Sequence, residues 1–521
     1  MMRFRLFLLH LFLFVFLTVQ GAVAGTPGLL NRPALVEMGD RLELFVDHHL
    51  IDRLEGARLK LHHPSPAETV IRGDRPWEGE LGFGQTVILH QGKYLLYYHG
   101  SNKLCYAESG DGVHWTKPAL GLIEAGGSRQ NNLVGTAGGE YLYDHLEEPA
   151  ARVYLDTRPG VPAGRRLIAL KLDEGHRANP TEEELARRLT VNQEGFWQGS
   201  PTDVIPWVSK DGRAWERLGD KPLFRNNLYG TLDGDFSFFW SEVEQQYVIY
   251  SRYFTSPNRS VGRRAIARLT APNLYEWSEF QPMSYGDGGT IPENHLYINL
   301  TLPYYRAPQI YLAFPARLMV GRQVLTDEDA QAAGVPEGRW MDTSETVLMT
   351  TRGPGNRYDT TFREGFIRPG PGARNWITRT TFALRGVVPT GPREISMYVS
   401  RETGTRHWHI RRYVLRVDGF ASVNAPYDGG EMVTRPLTFS GKELLLNTST
   451  SGAGSVRVEI QSSNGEPVAG YALEDSMEIV GDEIERVAAW QNGTDVSPLA
   501  GQPVRLCFVL KDADLYSIRF R

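Results

Sequence analysis

Short stretches in which apolar and polar residues alternate, each followed by a turn, recur along most of the chain. In the clearest of them, Tyr94, Leu96 and Tyr98 fall on one face of a strand. A second strand follows, and a glycine-rich turn then leads to Trp115. The alternation predicts paired β-strands, each of which places one row of side chains in a core.

The turn at the end of this stretch is repeated later in the chain. The sequence Ser-Gly-Asp-Gly-Val-His-Trp ends at Trp115, and Ser-Lys-Asp-Gly-Arg-Ala-Trp ends at Trp215. An Asp side chain bonds nearby backbone N–H groups, and Gly adopts positive φ without strain. We therefore expect Asp111 and Asp211 to bond the turn backbone, and both Trp side chains to be mostly buried.

Five copies of this strand-pair unit occur, and their strands lie at 94–98, 166–172, 246–253, 309–318 and 394–402. A strand pair cannot bury both faces alone, so the copies have to pack on one another. Five sheets packed around an axis form a five-bladed β-propeller. A β-sandwich of unrelated hairpins is the alternative, and the repeated turn sequence favours the propeller.

The pattern changes near residue 428, where Val456, Val458 and Ile460 alternate with charged residues in strands separated by short turns. We therefore predict an all-β fold, a five-bladed β-propeller followed by a small antiparallel β-sandwich. The predicted segments are a signal peptide at 1–24, lead-in strands packed on the propeller at 25–75, the propeller at 76–427 and the sandwich at 428–521.

The first residues have the three parts of a secretory signal peptide. Arg3 and Arg5 precede an apolar stretch at 6–17, and a small-residue cleavage site ends at Ala24. The apolar stretch is short for a membrane span, and no later stretch is a candidate. We expect export to the periplasm or the extracellular space after cleavage near Ala24, and no integral membrane span.

Charge and cysteine content exclude several other classes. The formal net charge is −5 and the mature part has no Lys/Arg run, so nucleic acid is not an expected partner. Cys105 and Cys507 are the two cysteines and fall in different predicted domains, which predicts neither a disulfide nor a Cys-rich zinc site. His48 and His49 are neighbours on a strand and point to opposite faces. No metal or cofactor is predicted.

The candidate site follows from propeller geometry, because the first residues of each inner strand face the central axis. The strand heads carry carboxylates that we predict to be catalytic, namely Glu80, Asp144, Asp233 and Asp235. They also carry residues that we predict to bind substrate, namely Glu293, His295, Trp376 and Arg379.

Paired carboxyl groups of this kind are what glycoside hydrolysis requires. One carboxylic acid protonates the leaving oxygen, and the other carboxylate attacks or activates water. Asp233 and Asp235 share one face if they lie on a strand, because side chains alternate with a period of two. A Trp stacks on sugar rings, and Arg379 would hold a neighbouring carboxylate ionised or grip an acidic sugar.

The predicted architecture resembles glycoside hydrolase family 32, and the propeller alone resembles families 43 and 68 and the related glycoside phosphorylases. The repeated Ser-x-Asp-Gly-x-x-Trp turn is typical of such blades. In such propellers the carboxylates come from the first strands of blades one, two and three, which Glu80, Asp144 and Asp233 or Asp235 match by position. The family 32 motifs Trp-x-Asn-Asp-Pro-x-Gly, Arg-Asp-Pro and Glu-Cys are absent, so the resemblance does not imply fructoside specificity.

Two hypotheses from different classes follow. The first is an exported glycoside hydrolase that cleaves a poly- or oligosaccharide with a carboxylate acid/base pair in the axial pocket. The second is a non-catalytic carbohydrate-binding or scaffold propeller. Both have a carbohydrate as the partner, and the spacing of the carboxyl groups distinguishes them, since hydrolysis needs two within about 5–10 Å.

Overall fold

The computed structural model describes residues 34–82, 84–100, 103–142, 151–173, 202–226, 236–256, 262–286 and 293–521. Within these ranges the one α-helix is Asp327–Ala332, and short 3-10 turns occur at Ala163–Arg165, Ala373–Asn375 and Ser497–Leu499. No helix in the described part of the chain is long and apolar enough to cross a membrane. The fold is all-β, as predicted.

The four main strands of each of blades one to three pair antiparallel. Blade one consists of Thr86–His90, Lys93–Gly100, Lys103–Ser109 and Trp115–Thr116. Blade two consists of Ala151–Leu155, Leu167–Asp173, Thr202–Ser209 and Ala214–Arg217, with Arg225–Asn226 and Gly135–Thr136 at its edges. Blade three consists of Ser237–Ser241, Gln246–Phe254, Arg264–Ala271 and Gln281–Pro282.

Blade four is interrupted along each strand. Its inner strand is formed by His295–Leu296 and Leu302–Tyr304, its second by Ala307–Ala313 and Ala316–Met319, and its third by Thr343–Thr346 and Met349–Arg352. The short strand Arg357–Tyr358 pairs with Ser284–Tyr285 at its outer edge. The helix Asp327–Ala332 begins at Thr326, whose side chain accepts the N–H of Asp329, as the sequence pattern of an N-cap requires.

Blade five is completed by the N-terminal segment. Its strands are Phe382–Ala383 with Val388–Gly391, then Glu394–Arg401, His409–Arg416 and Ser65–Arg72. Contacts between neighbouring blades run from blade one to blade five in order and return to blade one. The five blades therefore form a closed ring, which confirms the predicted β-propeller.

The sandwich recruits the remaining lead-in strands. Its sheet contains Val36–Gly39, Glu43–Leu44, Ile51–Glu55, Arg58–Leu61, Ala421–Ala425, Gly430–Thr434, Leu437–Phe439, Leu444–Ser462, Asp482–Val487 and Val504–Phe520. Val456, Val458 and Ile460 lie in its core, as their alternation predicts. The lead-in segment thus contributes strands to both units of the fold.

A buried carboxylate joins the propeller to the sandwich. Asp418 is fully buried and accepts hydrogen bonds from the hydroxyl of Tyr304 at 2.8 Å and the hydroxyl of Ser517 at 2.9 Å. Arg306 Nε lies 3.1 Å from the carboxylate, and the amide of Asn447 lies 3.3 Å away. Because a buried charge is stable only when it is paired, this contact fixes the two units against each other.

The two repeated turns have the predicted backbone bonds. Asp111 Oδ1 accepts the N–H groups of Val113 and His114, both at 2.8 Å. Asp211 Oδ1 accepts the corresponding N–H groups, of which that of Arg213 is at 2.9 Å. These carboxylates close the turns by the mechanism that the sequence indicates.

The two tryptophans at the turns differ in burial. Trp215 is 2% exposed, as predicted, whereas Trp115 is only half-buried. The indole N–H of Trp115 bonds the carbonyl oxygen of Gly112 at 3.0 Å, which holds the ring close to its own turn. Trp115 is thus less buried than Trp215, so the two rings are not equivalent in burial.

Candidate functional site

The edge of the propeller at which the inner strands begin brings together side chains from blades three, four and five. We call this edge the strand-head face. At its centre is the ring of Tyr297, which directly follows the inner-strand segment His295–Leu296 of blade four. The guanidinium groups of Arg252, Arg264 and Arg379 lie 5.6, 4.9 and 5.8 Å from the centroid of that ring. These three arginines and Tyr297 are called the arginine cluster below.

Strand pairing places two of the arginines on one face of blade three. Phe254 is directly opposite Arg264 in the antiparallel ladder, and Arg252 is two residues before Phe254. Since side chains alternate along a strand, all three project from the same face. The guanidinium groups of Arg252 and Arg264 are each 5.3 Å from the Phe254 ring, so cations and aromatic rings interleave.

His295 is held by the same cluster. Its Nδ1 atom lies 3.1 Å from Nη1 of Arg264 and 3.3 Å from the backbone nitrogen of Arg264. Burial, and then the positive charge of Arg264, lower the pKa of His295 below its ordinary value. The imidazole is therefore neutral at pH 7 and accepts hydrogen bonds through Nδ1.

Arg379 has an unusual backbone conformation. Its φ is 62°, and Thr381 nearby has φ 61°, which is rare for a β-branched residue. The carbonyl oxygen of Thr380 accepts a hydrogen bond from Ser344 Oγ at 2.7 Å, and that of Thr381 accepts one from Thr346 Oγ1 at 2.8 Å. Bonds from blade four thus hold this segment of blade five in a strained form, and strain of this kind is often found at functional sites.

Two more arginines fill the axis of the ring. Arg385 of blade five donates to Thr86 Oγ1 of blade one at 3.0 Å and bonds the carbonyl oxygen of Phe236, which precedes blade three. Its guanidinium is also 4.7 Å from the Tyr154 ring of blade two. One side chain therefore contacts three other blades at the axis.

Arg152 lies two residues before Tyr154 on the inner strand of blade two, so the two side chains are on the same face. It is 1% exposed, and a Cβ atom added to Gly84 would lie 2.2 Å from its guanidinium carbon. Gly84 also has φ +84°, so this position needs glycine both for its backbone and for the approach of the arginine.

The predicted substrate-binding residues are partly brought together. His295 contacts Arg264 of the arginine cluster, and Arg379 is itself a member of that cluster. Trp376 is half-buried, and its indole N–H bonds the carbonyl oxygen of Gly370 at 2.9 Å. Glu293 is exposed.

Of the predicted catalytic carboxylates, the structure describes Glu80. Its side chain is 67% exposed, and its Oε2 atom lies 3.5 Å from Nη2 of Arg339. The neighbouring Leu81 pairs with Gly100, at the end of the second strand of blade one. Asp144, Asp233 and Asp235 lie outside the described residues.

A nearby carboxylate has a structural role instead. Glu78 is fully buried and accepts hydrogen bonds from the Tyr98 hydroxyl at 2.5 Å and from the backbone nitrogen of Asp74 at 3.0 Å. Lys117 Nζ lies 2.7 Å from it. Glu78 thus binds the segment before blade one to Tyr98 on the second strand of that blade, which stabilises the start of the blade.

Sequence reasoning missed most of the arginines at the strand-head face and the axis. Arg152, Arg252, Arg264 and Arg385 were not predicted, although each is an arginine inside or beside an otherwise apolar strand. Such a residue needs a partner for its charge, and this is the signal that could have indicated a polar site. The described part of the axis thus contains cations, whereas Asp144, Asp233 and Asp235 of the predicted carboxylate ring lie outside the described residues.

Metal and thiol chemistry find no support in the described residues. They contain no group of three His, Cys, Asp or Glu side chains placed to hold a metal ion. In the histidine-rich lead-in, Asp47 is bonded by Arg352 Nε at 3.0 Å. Cys105 and Cys507 are both buried and free, and burial raises the pKa of each thiol, to about 12 for Cys507.

No family model matches the sequence, and no curated protein matches it. Among solved structures, a fructofuranosidase from Schwanniomyces occidentalis complexed with fructosylnystose is 9% identical, covers 87% of this chain and 96% of its own, and has a TM-score of 0.37. A family 32 beta-fructofuranosidase from Bombyx mori is 9% identical, with coverages of 89% and 94% and a TM-score of 0.38.

A thermostable family-43 glycoside hydrolase is 11% identical and has a TM-score of 0.38, with 68% of this chain and 96% of that chain covered. At these identities the likeness concerns the fold alone.

Proposed function

We propose that the chain is an exported glycoside hydrolase that cleaves a poly- or oligosaccharide at the strand-head face of the propeller. The observation that carries this proposal is the convergence of three blades on Tyr297, with a neutral imidazole and three guanidinium groups around one aromatic ring. Sugar rings stack on aromatic faces, and their oxygens accept hydrogen bonds from cationic donors. Three half-buried members of the arginine cluster and His295 keep this chemistry reachable from solvent.

The acid and the base would be two of the carboxylates assigned to the strand heads. Asp233 and Asp235 directly precede the inner strand of blade three in the sequence, and Asp144 precedes that of blade two. A carboxylate beside guanidinium groups stays ionised, whereas one in a drier position is protonated at neutral pH. The ionised carboxylate would then be the base and the protonated one the general acid, both within one pocket.

The remaining predicted residues would bind substrate. Glu293 is exposed and would accept hydrogen bonds from sugar hydroxyl groups, and His295 would orient the substrate through its ring. Trp376 is half-buried and would offer the exposed part of its indole as a stacking surface. Arg379 would contact substrate oxygens from blade five.

A carbohydrate-binding propeller without catalysis is the second candidate. It is favoured by Glu80, because its side chain is 67% exposed and pairs with Arg339, so this predicted catalytic carboxylate lies in water and not in a closed pocket. In this case the strand-head face would bind a saccharide and leave it intact.

A polysaccharide panel separates the two candidates. Purified protein without residues 1–24 is incubated with each glycan, new reducing ends are measured, and binding is measured by affinity electrophoresis on the same glycans. We expect at least one glycan to show both retardation and new reducing ends. Retardation without new reducing ends supports the binding module, and the absence of both contradicts the proposal.

Export is part of the same proposal and rests on the sequence of residues 1–24. Expression of the chain in a bacterium with a periplasm should give a processed protein that begins at Gly25. N-terminal sequencing of the periplasmic fraction checks this, and full-length protein retained in the cytoplasm contradicts it.

A further inference from the structure

Blade four carries a long insertion at the strand-head face. Its second and third strands pair antiparallel as far as Met319 and Thr343, and residues 320–342 connect them. A connection between two such strands needs only about two to five residues. Because Leu318 pairs with His295 at the start of the inner strand, these residues begin at the strand-head face. We call residues 320–342 the blade-four insertion.

The insertion packs around a small hydrophobic core, which we call the insertion core. It consists of Ala330, Val335 and Trp340 from the insertion and Ile377 from blade five. Each of these four residues is 6% exposed or less. The indole N–H of Trp340 donates to Asp327 Oδ1 at 2.7 Å, in the first turn of the helix, which fixes the ring. A residue of blade five is therefore buried inside an element of blade four.

Ile377 belongs to the segment that carries two of the predicted substrate-binding residues. Trp376 precedes it and Arg379 follows two residues later, and both of these residues are half-buried whereas Ile377 is fully buried. The backbone N–H of Thr378 donates to the carbonyl oxygen of Arg339 in the insertion at 2.7 Å. One buried side chain and one backbone bond between the two predicted binding residues thus attach the segment to the insertion.

Two further contacts hold the insertion on blade five. Arg374 donates to the carbonyl oxygen of Ala333 at 3.4 Å and pairs with Glu402 at 2.5 Å. A Cβ atom added to Gly404 would lie 3.1 Å from the guanidinium carbon of Arg339, so this guanidinium packs closely on blade five. The insertion is therefore fixed on blade five at several points.

The backbone of the attached segment requires support from its surroundings. Arg379 and Thr381 have φ values of 62° and 61°, and residues other than glycine keep this conformation only where neighbouring structure holds it. The hydroxyl of Ser344, just after the insertion, donates to the carbonyl oxygen of Thr380. That of Thr346 donates to the carbonyl oxygen of Thr381. Blade four thus supports the segment along its whole length, and the insertion supports its first half.

We propose that the blade-four insertion is a positioning element for substrate binding, and that the insertion core holds Trp376 and Arg379 in the arrangement that contacts the saccharide. This inference rests on the proposed function of the strand-head face. Trp340 and Ile377 are positioning residues, because they act through Trp376 and Arg379 and are themselves buried. A binding residue that is held in place loses less conformational freedom when a ligand binds, so the insertion core raises the affinity for the saccharide.

The test loosens the insertion core from both sides. Ile377→Ala removes the contact from blade five, and Ile377→Val keeps most of it. Trp340→Phe keeps a ring in the core and loses the bond to Asp327. Ile395→Ala is the matched control, because Ile395 is also 0% exposed and lies at the opposite end of blade five. Thermal unfolding checks that all four variants fold.

The first measurement is hydrogen exchange by mass spectrometry, in which the segment 373–381 is compared with the strand Lys93–Gly100 of blade one. We expect the segment to exchange about tenfold faster in the Ile377→Ala variant while the strand is unchanged, because the opening is local. Trp340→Phe should give a smaller increase, and Ile377→Val should stay close to wild type. Ile395→Ala should leave the ratio of the two exchange rates unchanged.

The second measurement is the kinetics on a glycan that the protein cleaves. We expect Ile377→Ala to raise KM about 3–30-fold with little change in kcat, because poorly positioned binding residues weaken the ground state and the transition state alike. Ile377→Val should have nearly the wild-type KM. A variant that is only less stable loses active molecules, which lowers the apparent kcat and leaves KM unchanged, and we expect this of Ile395→Ala.

The outcomes separate this inference from the proposed function. An unchanged exchange rate of 373–381 in the Ile377→Ala variant, or faster exchange at unchanged KM, overturns the inference, whereas the hydrolase proposal stands wherever a glycan is cleaved. If a glycan is bound and left intact, dissociation constants replace KM, and their increase supports the inference while it contradicts the hydrolase. If no glycan is bound, the proposed function and the inference are both wrong.

Discussion

The hydroxyl group of Tyr398 donates a hydrogen bond of 2.6 Å to the carbonyl oxygen of Gly112, which joins blade five to the turn of blade one. One blade further on, Tyr97 donates to the carbonyl oxygen of Gly212 at 2.8 Å. Both tyrosines occupy the same position in the second strand of their blade. The repeated turn is therefore a contact between blades as well as a turn within one.

These bonds predict a graded loss of stability. Tyr97→Phe should lower the free energy of unfolding by about 1 kcal/mol, because it removes a buried donor from the Gly212 carbonyl. Tyr398→Phe should cost less, since the Trp115 indole also bonds the Gly112 carbonyl. Urea unfolding measures both, with Tyr427→Phe as an exposed control. A larger cost for Tyr398→Phe would contradict this account.

The turn glycines predict a second effect. An alanine Cβ at Gly212 would lie 2.3 Å from the Tyr97 hydroxyl, whereas at Gly219, which has a similar φ, it would meet nothing within 4 Å. Both substitutions strain the backbone by roughly 1 kcal/mol. Gly212→Ala should therefore destabilise the protein clearly more than Gly219→Ala. Equal costs would show that the Tyr97 contact is easily displaced.

The unequal burial of the two tryptophans gives a third prediction. Trp215→Ala should cost about 3–5 kcal/mol, as for large aromatic deletions in cores. Trp115→Ala should cost distinctly less, because a half-buried ring loses less contact area. Thermal and urea unfolding check the order, and a reversed order would contradict the observed burial.

The repeat explains why the fold could be predicted. The shared turn around Asp111 and Asp211 recurs because each blade solves the same packing problem, so alternation and turn chemistry were enough to indicate the propeller. The closure of blade five by Ser65–Arg72 was not predictable from such local patterns, since His409 pairs with Arg72, far away in the sequence.

The site was predicted less well, for a physical reason. Sequence reasoning assigned Arg379 and His295 to the strand heads, and the structure places Arg379 over the Tyr297 ring and His295 against Arg264. It did not find Arg252 or Arg264, because alternation does not show which strand faces meet between blades. Charged residues that contact each other between two blades can be identified only when the register of both sheets is known.

A pH effect follows from the lead-in segment. Burial, and then the charge of Arg352, lower the pKa of His49 to about 4, although Asp47 opposes the change. The unfolded chain takes up this proton near pH 6.5 and the folded protein only near pH 4. The contribution of the neutral His49 ring to the free energy of unfolding is therefore fully present above pH 6.5. It decreases as the pH falls towards 4.

His49→Gln should therefore flatten the pH dependence of unfolding in that window. Urea midpoints are measured at several pH values between 7.5 and 4, because this range includes both pKa values of His49. They give the slope of stability against pH for each protein. The wild-type midpoint should fall more steeply than that of the variant. Parallel curves would show that His49 is protonated in the folded protein as readily as in the unfolded chain.

The most direct measurement is the turnover of carboxylate variants on a glycan that the protein cleaves. Asp233→Asn, Asp235→Asn, Asp144→Asn and Glu80→Gln are compared with Glu276→Gln, an exposed control on blade three. The account predicts that at least two of the four lose about a hundredfold or more in kcat at unchanged stability, while the control retains wild-type turnover. Near-wild-type turnover in all four would contradict an acid/base pair at the strand-head face.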